Sequence, residues 1–175
     1  MRHFMRRNPP SECRPCAYKA ALGGLIAVSL VALAAESAGE LLAIAPLAAS
    51  CVLVFAAPES PMAQPANVIG GHVLSTVVAL LLEQVLPGAW WAAALGVGCA
   101  ILAMSLARVT HPPAGADAFV VLTGHPGWGY LIFPILLGSM AVVAAAVVVH
   151  RALPPRRAYP LHAPQPAPEP VPQPD

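Results

Sequence analysis

The chain has 175 residues, 58% of them apolar and 10% charged, with a net charge of +1. That length holds one domain. A soluble domain carries about 25% charged residues, so the polar surface here is too small to cover a soluble fold. The cations are unevenly spread: Arg2, Arg6, Arg7, Arg14 and Lys19 precede the apolar body, Arg151, Arg156 and Arg157 follow it, and Arg108 alone lies between. Basic ends on an apolar body match the cytoplasmic flanks of a membrane protein. Without interleaved aromatics they do not match a nucleic-acid surface, and no nucleic-acid partner is expected.

Five apolar segments follow in chain order. Residues 20–35 come after Tyr18 and Lys19, which suit an interface. Residues 41–57 are interrupted early by Pro46. Residues 68–82 extend toward Leu86, with Glu83 near the end. Residues 90–107 open on Trp90 and Trp91, a residue type favoured at headgroup level. Residues 130–149 open on Tyr130 and close at His150 and Arg151. A span takes about 20 residues, with a working range of roughly 17–25. The first three segments are therefore short, and their alanine content makes them depend on helix–helix packing. Gly23, Gly24, Gly70, Gly71, Gly96, Gly98 and Gly138 either let backbones approach closely or are neutral positions facing lipid. No segment carries a polar stripe at helical spacing, which removes a soluble helical core as the alternative. A cleaved leader is disfavoured because the polar stretch before the first segment is long for one.

Residues 1–16 read as a basic cytoplasmic tail, 17–150 as the membrane domain and 151–175 as a Pro-rich tail. Nine prolines in 152–175 deny that tail helix and strand, so it is expected to be extended and disordered. Cys51 and Cys99 lie in apolar segments and read as packing residues. Cys13-Arg-Pro-Cys16 is a single C-x-x-C with no second pair, so incidental cysteines are favoured over metal or redox chemistry and over acylation.

The polar loops carry the chemistry. The first runs Ala57-Pro58-Glu59-Ser60-Pro61-Met62-Ala63-Gln64-Pro65-Ala66-Asn67 and leads into Val68-Ile69-Gly70-Gly71-His72. Its prolines prevent regular structure, Asn67 is placed to cap the next helix, and His72 falls more than one turn inside it. An ionisable residue at that depth faces protein or a watery cavity; the plainer alternative is a histidine bonded to a nearby carbonyl. The second loop is Arg108-Val109-Thr110-His111-Pro112-Pro113-Ala114-Gly115-Ala116-Asp117. Paired prolines force a break at His111 and suit the first turn of a short helix over about 113–122. Its N–H groups beside Arg108 and His111 would make an anion site, a device known from transporters with discontinuous helices. The alternative is a capped re-entrant turn, with Asp117 complementing the helix dipole and Arg108 marking the lipid interface. His111, His72, Glu59 and Asp117 fit no standard metal-ligand spacing, and no nucleophile–base pair stands out. Neither a metal, a cofactor nor an enzymatic activity is expected.

The strings APESPMAQPANVIGGH, THPPAGADA and WGYLIFPILLG resemble the HPP family of integral membrane proteins, named for the motif matched by His111, Pro112 and Pro113. The likeness covers roughly residues 17–150. It implies a transmembrane domain usually described with four spans, and it makes nitrite a candidate substrate, since plastid and cyanobacterial relatives are associated with nitrite transport.

Five crossings would split the cations six to three across the membrane, whereas four split them eight to one and satisfy the positive-inside rule. Residues 41–57 or 20–35 would then be re-entrant or tucked inside the bundle. If the third and fourth segments both cross, the two motif loops share a face. The expectation is an all-α bundle of four to five apolar segments with a half-helix after His-Pro-Pro, multi-pass in a bacterial inner membrane, both termini cytoplasmic. Its leading function is a permease for a small inorganic anion, assembled as a homo-oligomer, with candidate site residues Arg108, His111, Pro112, Pro113, Ala114, Gly115, Asp117, Glu59, Gln64, Asn67 and His72. A non-transporting scaffold is the other reading. A reporter fused at Asp175 should fluoresce when it matures only in the cytoplasm and stay silent when it is a periplasm-only enzyme; the reverse pattern refutes the charge argument.

Overall fold

In the computed structural model, which describes residues 13–37 and 44–161, the apolar segments become helices: α1 (Arg14–Ser37), α2 (Ala45–Ala56), α3 (Pro65–Glu83), α4 (Trp90–Leu106), the short α5 (Gly115–Gly124) and α6 (Leu137–Ala152). A kinked stretch, Leu131–Leu136, with extended backbone at Phe133 (φ −133°, ψ 129°) before Pro134, leads into α6, and one turn at Pro112–Ala114 leads into α5. By length and composition Arg14–Glu36, Pro65–Glu83 and Leu131–Ala152 can cross a membrane, while Ala45–Ala56 and Trp90–Leu106 are shorter apolar helices. This matches five apolar segments plus a half-helix. The helices are apolar on their outer faces too, with Leu25, Leu30 and Leu33 of α1, Ile101 and Leu102 of α4 and Val148 of α6 all exposed. An outward apolar surface on helices that also pack inward is what a bilayer accepts and water does not.

Contacts at the helix ends fix the chain's direction. Lys19 Nζ donates to the Pro155 carbonyl (2.6 Å), Arg157 Nη2 to Cys16 Sγ (3.2 Å), Asn67 Nδ2 to the Thr110 carbonyl (3.0 Å) and the Tyr159 hydroxyl to the Ala63 carbonyl (2.9 Å). The start of α1, both motif loops and the chain after α6 therefore meet at one end. His125 Nδ1 lies 2.7 Å from Glu83 Oε1 at the other. The six α-helices of the described residues alternate in direction, α5 included, so the two ends of the described chain lie at the same end of the bundle. Arg14, Lys19, Arg108, Arg151, Arg156 and Arg157 all lie at the motif-loop end. Trp90, Trp91 and Trp128, all exposed, lie at the far end.

Four local expectations need correction. Pro46 does not break α2; it occupies the helix's first turn, where a missing N–H costs nothing. Helix α3 starts at Pro65 with Gln64 at its cap, so Asn67 is already helical and its side chain is free to reach Thr110. Helix α1 starts at Arg14, inside the expected tail, with Cys13 and Cys16 at its start joined by a disulfide.

The fourth concerns the Pro-rich tail. Helix α6 runs through Ala152, and residues 153–161 fold back over the motif-loop end. The cause is Tyr159, fully buried against the His150 ring and held at its own carbonyl by Arg151 Nε (3.0 Å). Arg157 adds an ion pair to Glu59, and the Leu161 N–H donates to Gln64 Oε1 (2.9 Å). Residues 1–12, 38–43 and 162–175, with their share of the expected tails, lie outside the described residues.

Burial pushes the Tyr159 hydroxyl up to about 12, because a phenolate is poorly solvated there. A raised folded value means its contribution is complete below the unfolded value of about 10 and is lost as pH rises from there through about 12. Unfolding of the detergent-solubilised protein followed against pH should show this loss in wild type, and Tyr159→Phe should lack that part of the alkaline decline.

Candidate functional site

Within this apolar bundle one polar cluster is completely enclosed. Ser50 of α2, His72 of α3, Asp117 of α5 and His111, the residue before the Pro112–Ala114 turn, each have no solvent exposure. Ser50 Oγ lies 2.7 Å from His72 Nε2 and 2.8 Å from His111 Nε2. His72 Nδ1 lies 2.6 Å from Asp117 Oδ2, and His111 Nδ1 donates to the Met62 carbonyl (2.7 Å). The result is one hydrogen-bonded chain from a carboxyl group through two imidazoles and a hydroxyl to the backbone of the first motif loop. His72 sits about two turns inside α3, roughly 10 Å from its start at 1.5 Å per residue. An ionisable cluster at such depth is expensive unless its members satisfy one another.

Local sequence explains the placement. Pro112 and Pro113 have no N–H, the Ala114 N–H donates to the His111 carbonyl (3.0 Å), and that of Gly115 reaches the Pro112 and Pro113 carbonyls. The chain thus enters the bundle with its backbone satisfied and delivers Asp117 in the first turn of α5, facing His72. Gly71 makes room for the break: a Cβ there would stand 2.7 Å from His111 Cβ and 3.0 Å from the Val109 carbonyl oxygen. Gly70 likewise abuts Val109, whereas Gly24 and Gly98 face open space.

Of the residues singled out in the sequence, His72, His111 and Asp117 converge. His72 is bonded to Ser50 and Asp117, not to a carbonyl. Asp117 spends Oδ2 on His72. Ala114 and Gly115 are buried in the turn beside them, and Pro112 and Pro113 shape it. The rest stand apart. Arg108 is exposed, in a left-handed conformation (φ 58°) that ends α4, where its N–H and that of Val109 bond back to Ser105 (3.2 Å) and Met104 (3.0 Å). The N–H groups at Ala114 and Gly115 are consumed by the turn, so the expected anion site of Arg108 with free helix-start donors is not formed. Glu59 is exposed and pairs with Arg157. Gln64 Nε2 braces its own loop through the Pro58 and Ser60 carbonyls (both 2.9 Å), and Asn67 ties the two loops together.

Ser50 escaped the sequence reading, as did Ser75 and Thr76, buried about one turn deeper than His72 on α3. Ser50 sits in a run of apolar residues like several other serines of the chain. Only the packing of α2 against the break singles it out. Ser75 Oγ, Thr76 Oγ1 and Asp117 Oδ1 have no hydrogen-bond partner among the described residues.

A family model described as HPP, transmembrane region, matches residues 9–160, so the chain belongs to that family. Two transmembrane proteins of Dictyostelium discoideum are similar to it. One is 37% identical over 123 residues, covering 66% of this chain and 43% of the relative; the other is 35% identical over 122 residues, covering 65% and 39%. The match thus spans about two fifths of each relative's length. No solved structure matches.

The Gly71 contact can be tested directly. Gly71→Ala should destabilise the detergent-solubilised protein by about 1–3 kcal/mol, the usual cost of overpacking. Gly24→Ala, facing open space, should be neutral or slightly stabilising through helix propensity. Unfolding midpoints of the two variants check the contrast.

Proposed function

We propose that this member of the HPP transmembrane family is a permease for a small solute, a small inorganic anion in first place, whose path passes the Ser50–His72–His111–Asp117 cluster. One observation carries this reading: titratable side chains from two helices and a helix break, joined by a hydroxyl from a third helix, are gathered inside a largely apolar bundle. Intramembrane ionisable residues are costly and mark solute or proton pathways, and broken helices are a recurrent way to build such sites. The cations at the motif-loop end support an anion as the solute, since a patch of one sign raises the local concentration of counter-ions. Nitrite is the first anion to try, on the family resemblance. The same cations, with the tryptophans at the far end, support an orientation with both termini and the motif loops in the cytoplasm of a bacterial cell.

Ser50, His72 and Asp117 are joined in the order of a hydrolase triad, but the geometry supports no nucleophile. Ser50 Oγ is held by both imidazoles and lies 3.0 Å from the Pro46 carbonyl, which leaves no face for attack on a carbonyl carbon. A scaffold in which the cluster merely joins α2, α3 and α5 is the competing account.

Flux of nitrite, nitrate and chloride into liposomes holding the purified full chain separates the two. Wild type should move at least one of these anions. His111→Ala should lower that flux by roughly tenfold or more, the loss of about 1.4 kcal/mol or more of barrier stabilisation, while still inserting and folding. Arg108→Gln, now placed outside the cluster, should have the smaller effect. No anion movement by wild type, or wild-type flux in a folded His111→Ala protein, favours the scaffold.

A further inference from the structure

We propose that Asp117, His72, Ser50 and His111 form a relay for a single proton, which makes the permease proton-coupled; this rests on the permease reading above.

Counting hydrogens fixes the direction of the relay. The Met62 carbonyl can only accept, so His111 Nδ1 carries a hydrogen. Neutral His111 then has a lone pair at Nε2, which takes the Ser50 hydroxyl proton at 2.8 Å. Ser50 Oγ, having given its one hydrogen, accepts from His72 Nε2–H at 2.7 Å. His72 Nδ1 is then a lone pair, and the Asp117 carboxyl at 2.6 Å must donate to it through Oδ2–H. Each contact along the relay is satisfied, every donor points the same way, and no member is charged, which suits a site with no solvent exposure; the Ser50 hydroxyl then leaves the Pro46 carbonyl unused.

From this state one concerted shift moves one proton. The Asp117 Oδ2–H bond breaks as His72 Nδ1–H forms. The His72 Nε2–H bond breaks as a new Ser50 O–H forms, and the original Ser50 proton bonds to His111 Nε2. Asp117 ends as a carboxylate and His111 as an imidazolium, with serine and His72 still neutral. If the proton stops halfway, it rests on His72 beside the carboxylate as an ion pair. The Ser50 hydroxyl can instead turn to the Pro46 carbonyl (3.0 Å) only when both imidazoles donate to Oγ, which requires an additional proton in the cluster.

The relay also has two distinct ends. His111 opens on the motif loops through Met62. At the other end Asp117 Oδ1 has no hydrogen-bond partner among the described residues, nor do Ser75 Oγ and Thr76 Oγ1, about one turn deeper than His72 on α3. Unpaired buried oxygens of this kind are where water joins a hydrogen-bonded path. The Met104 thioether of α4 lies against Gly71, one residue before His72. The nearest charged side chains in sequence, Glu59 and Arg108, are exposed. The proton is therefore carried by His72, His111 and Asp117 themselves.

Liposomes holding the full chain and a trapped pH dye provide the test. Nitrate is the main probe, because nitrous acid carries its own proton through lipid. With membrane potential clamped by potassium and valinomycin, an inward nitrate gradient should change lumenal pH in wild type. Ser50→Ala should cut the proton movement roughly tenfold, and Ser50→Thr, which keeps the hydroxyl, should restore it. Anion movement without proton movement in wild type overturns the relay and leaves the permease standing. If no anion moves, the permease reading fails, and nitrogen-15 spectra of the histidines in detergent decide the relay alone. Linked titration of His72 and His111 that Ser50→Ala uncouples supports it. Fixed, independent tautomers from about pH 5 to 8 overturn it.

Discussion

A carboxyl group with no solvent exposure must find its hydrogen bonds inside the protein, and the interior of this bundle depends on how Asp117 does so. The partner is His72, which reaches only if α3 and the first turn of α5 lie side by side at the same depth. His72 in turn leaves its second ring nitrogen to be satisfied, and Ser50 answers from α2. Ser50 brings in His111, and His111 ends the chain on the Met62 carbonyl. One buried acid thus dictates the relative positions of three helices and both motif loops. Removing any single member strands its neighbour without water, which costs about 1–3 kcal/mol for a neutral group and more for a charged one.

The His-Pro-Pro break follows from the same demand. A continuous helix after α4 would have to reverse direction and present its unpaired N–H groups near the centre of the bundle. Two consecutive prolines remove two of those groups, and the turn they shape consumes the next two. Gly71 and Gly70 supply the space on α3 into which His111 and Val109 press. Arg108 serves this turn as well. It occupies the left-handed position that closes α4, where glycine is the usual residue, and its charge stays at the end of the bundle. With the half-helix the described helices number six and alternate in direction, which brings the described ends of the chain together.

Most of the fold was legible because lipid imposes a coarse requirement: long apolar runs must be helices, and their ends are marked by tryptophan, proline and cations. The segments at 68–82 and 90–107 and the break at His111 were readable on those grounds. What could not be read was which polar atoms meet. Ser50 looks like a tolerated hydroxyl in an alanine-rich run, and its role comes from packing against residues 22 and 61 positions away. Arg108 and the helix start looked like an anion site because sequence spacing does not show that the turn uses up its own N–H groups. The tail misled for the opposite reason. Its prolines do prevent helix and strand, but irregular backbone can still be ordered when one aromatic ring, here Tyr159, is buried and its neighbours find partners.

The cluster also places a constraint on how the bundle can move. His72 and Asp117 belong to α3 and α5, which pack along their length, so their bond is held by two helices. Ser50 is the contribution of α2 to the chain, and it alone bridges the two imidazoles, whose ring centres stand 5.1 Å apart. A hydrogen bond weakens steeply once it is stretched by a few tenths of an ångström beyond its usual 2.7–3.2 Å range. A shift of α2 by a fraction of its own helical rise therefore separates His111 from His72 while leaving the His72–Asp117 pair intact. Helix α2 is also the element whose far side meets α1, the helix whose outer leucines face lipid. Displacement of α2 against α3 therefore breaks the hydrogen-bonded chain at Ser50 first.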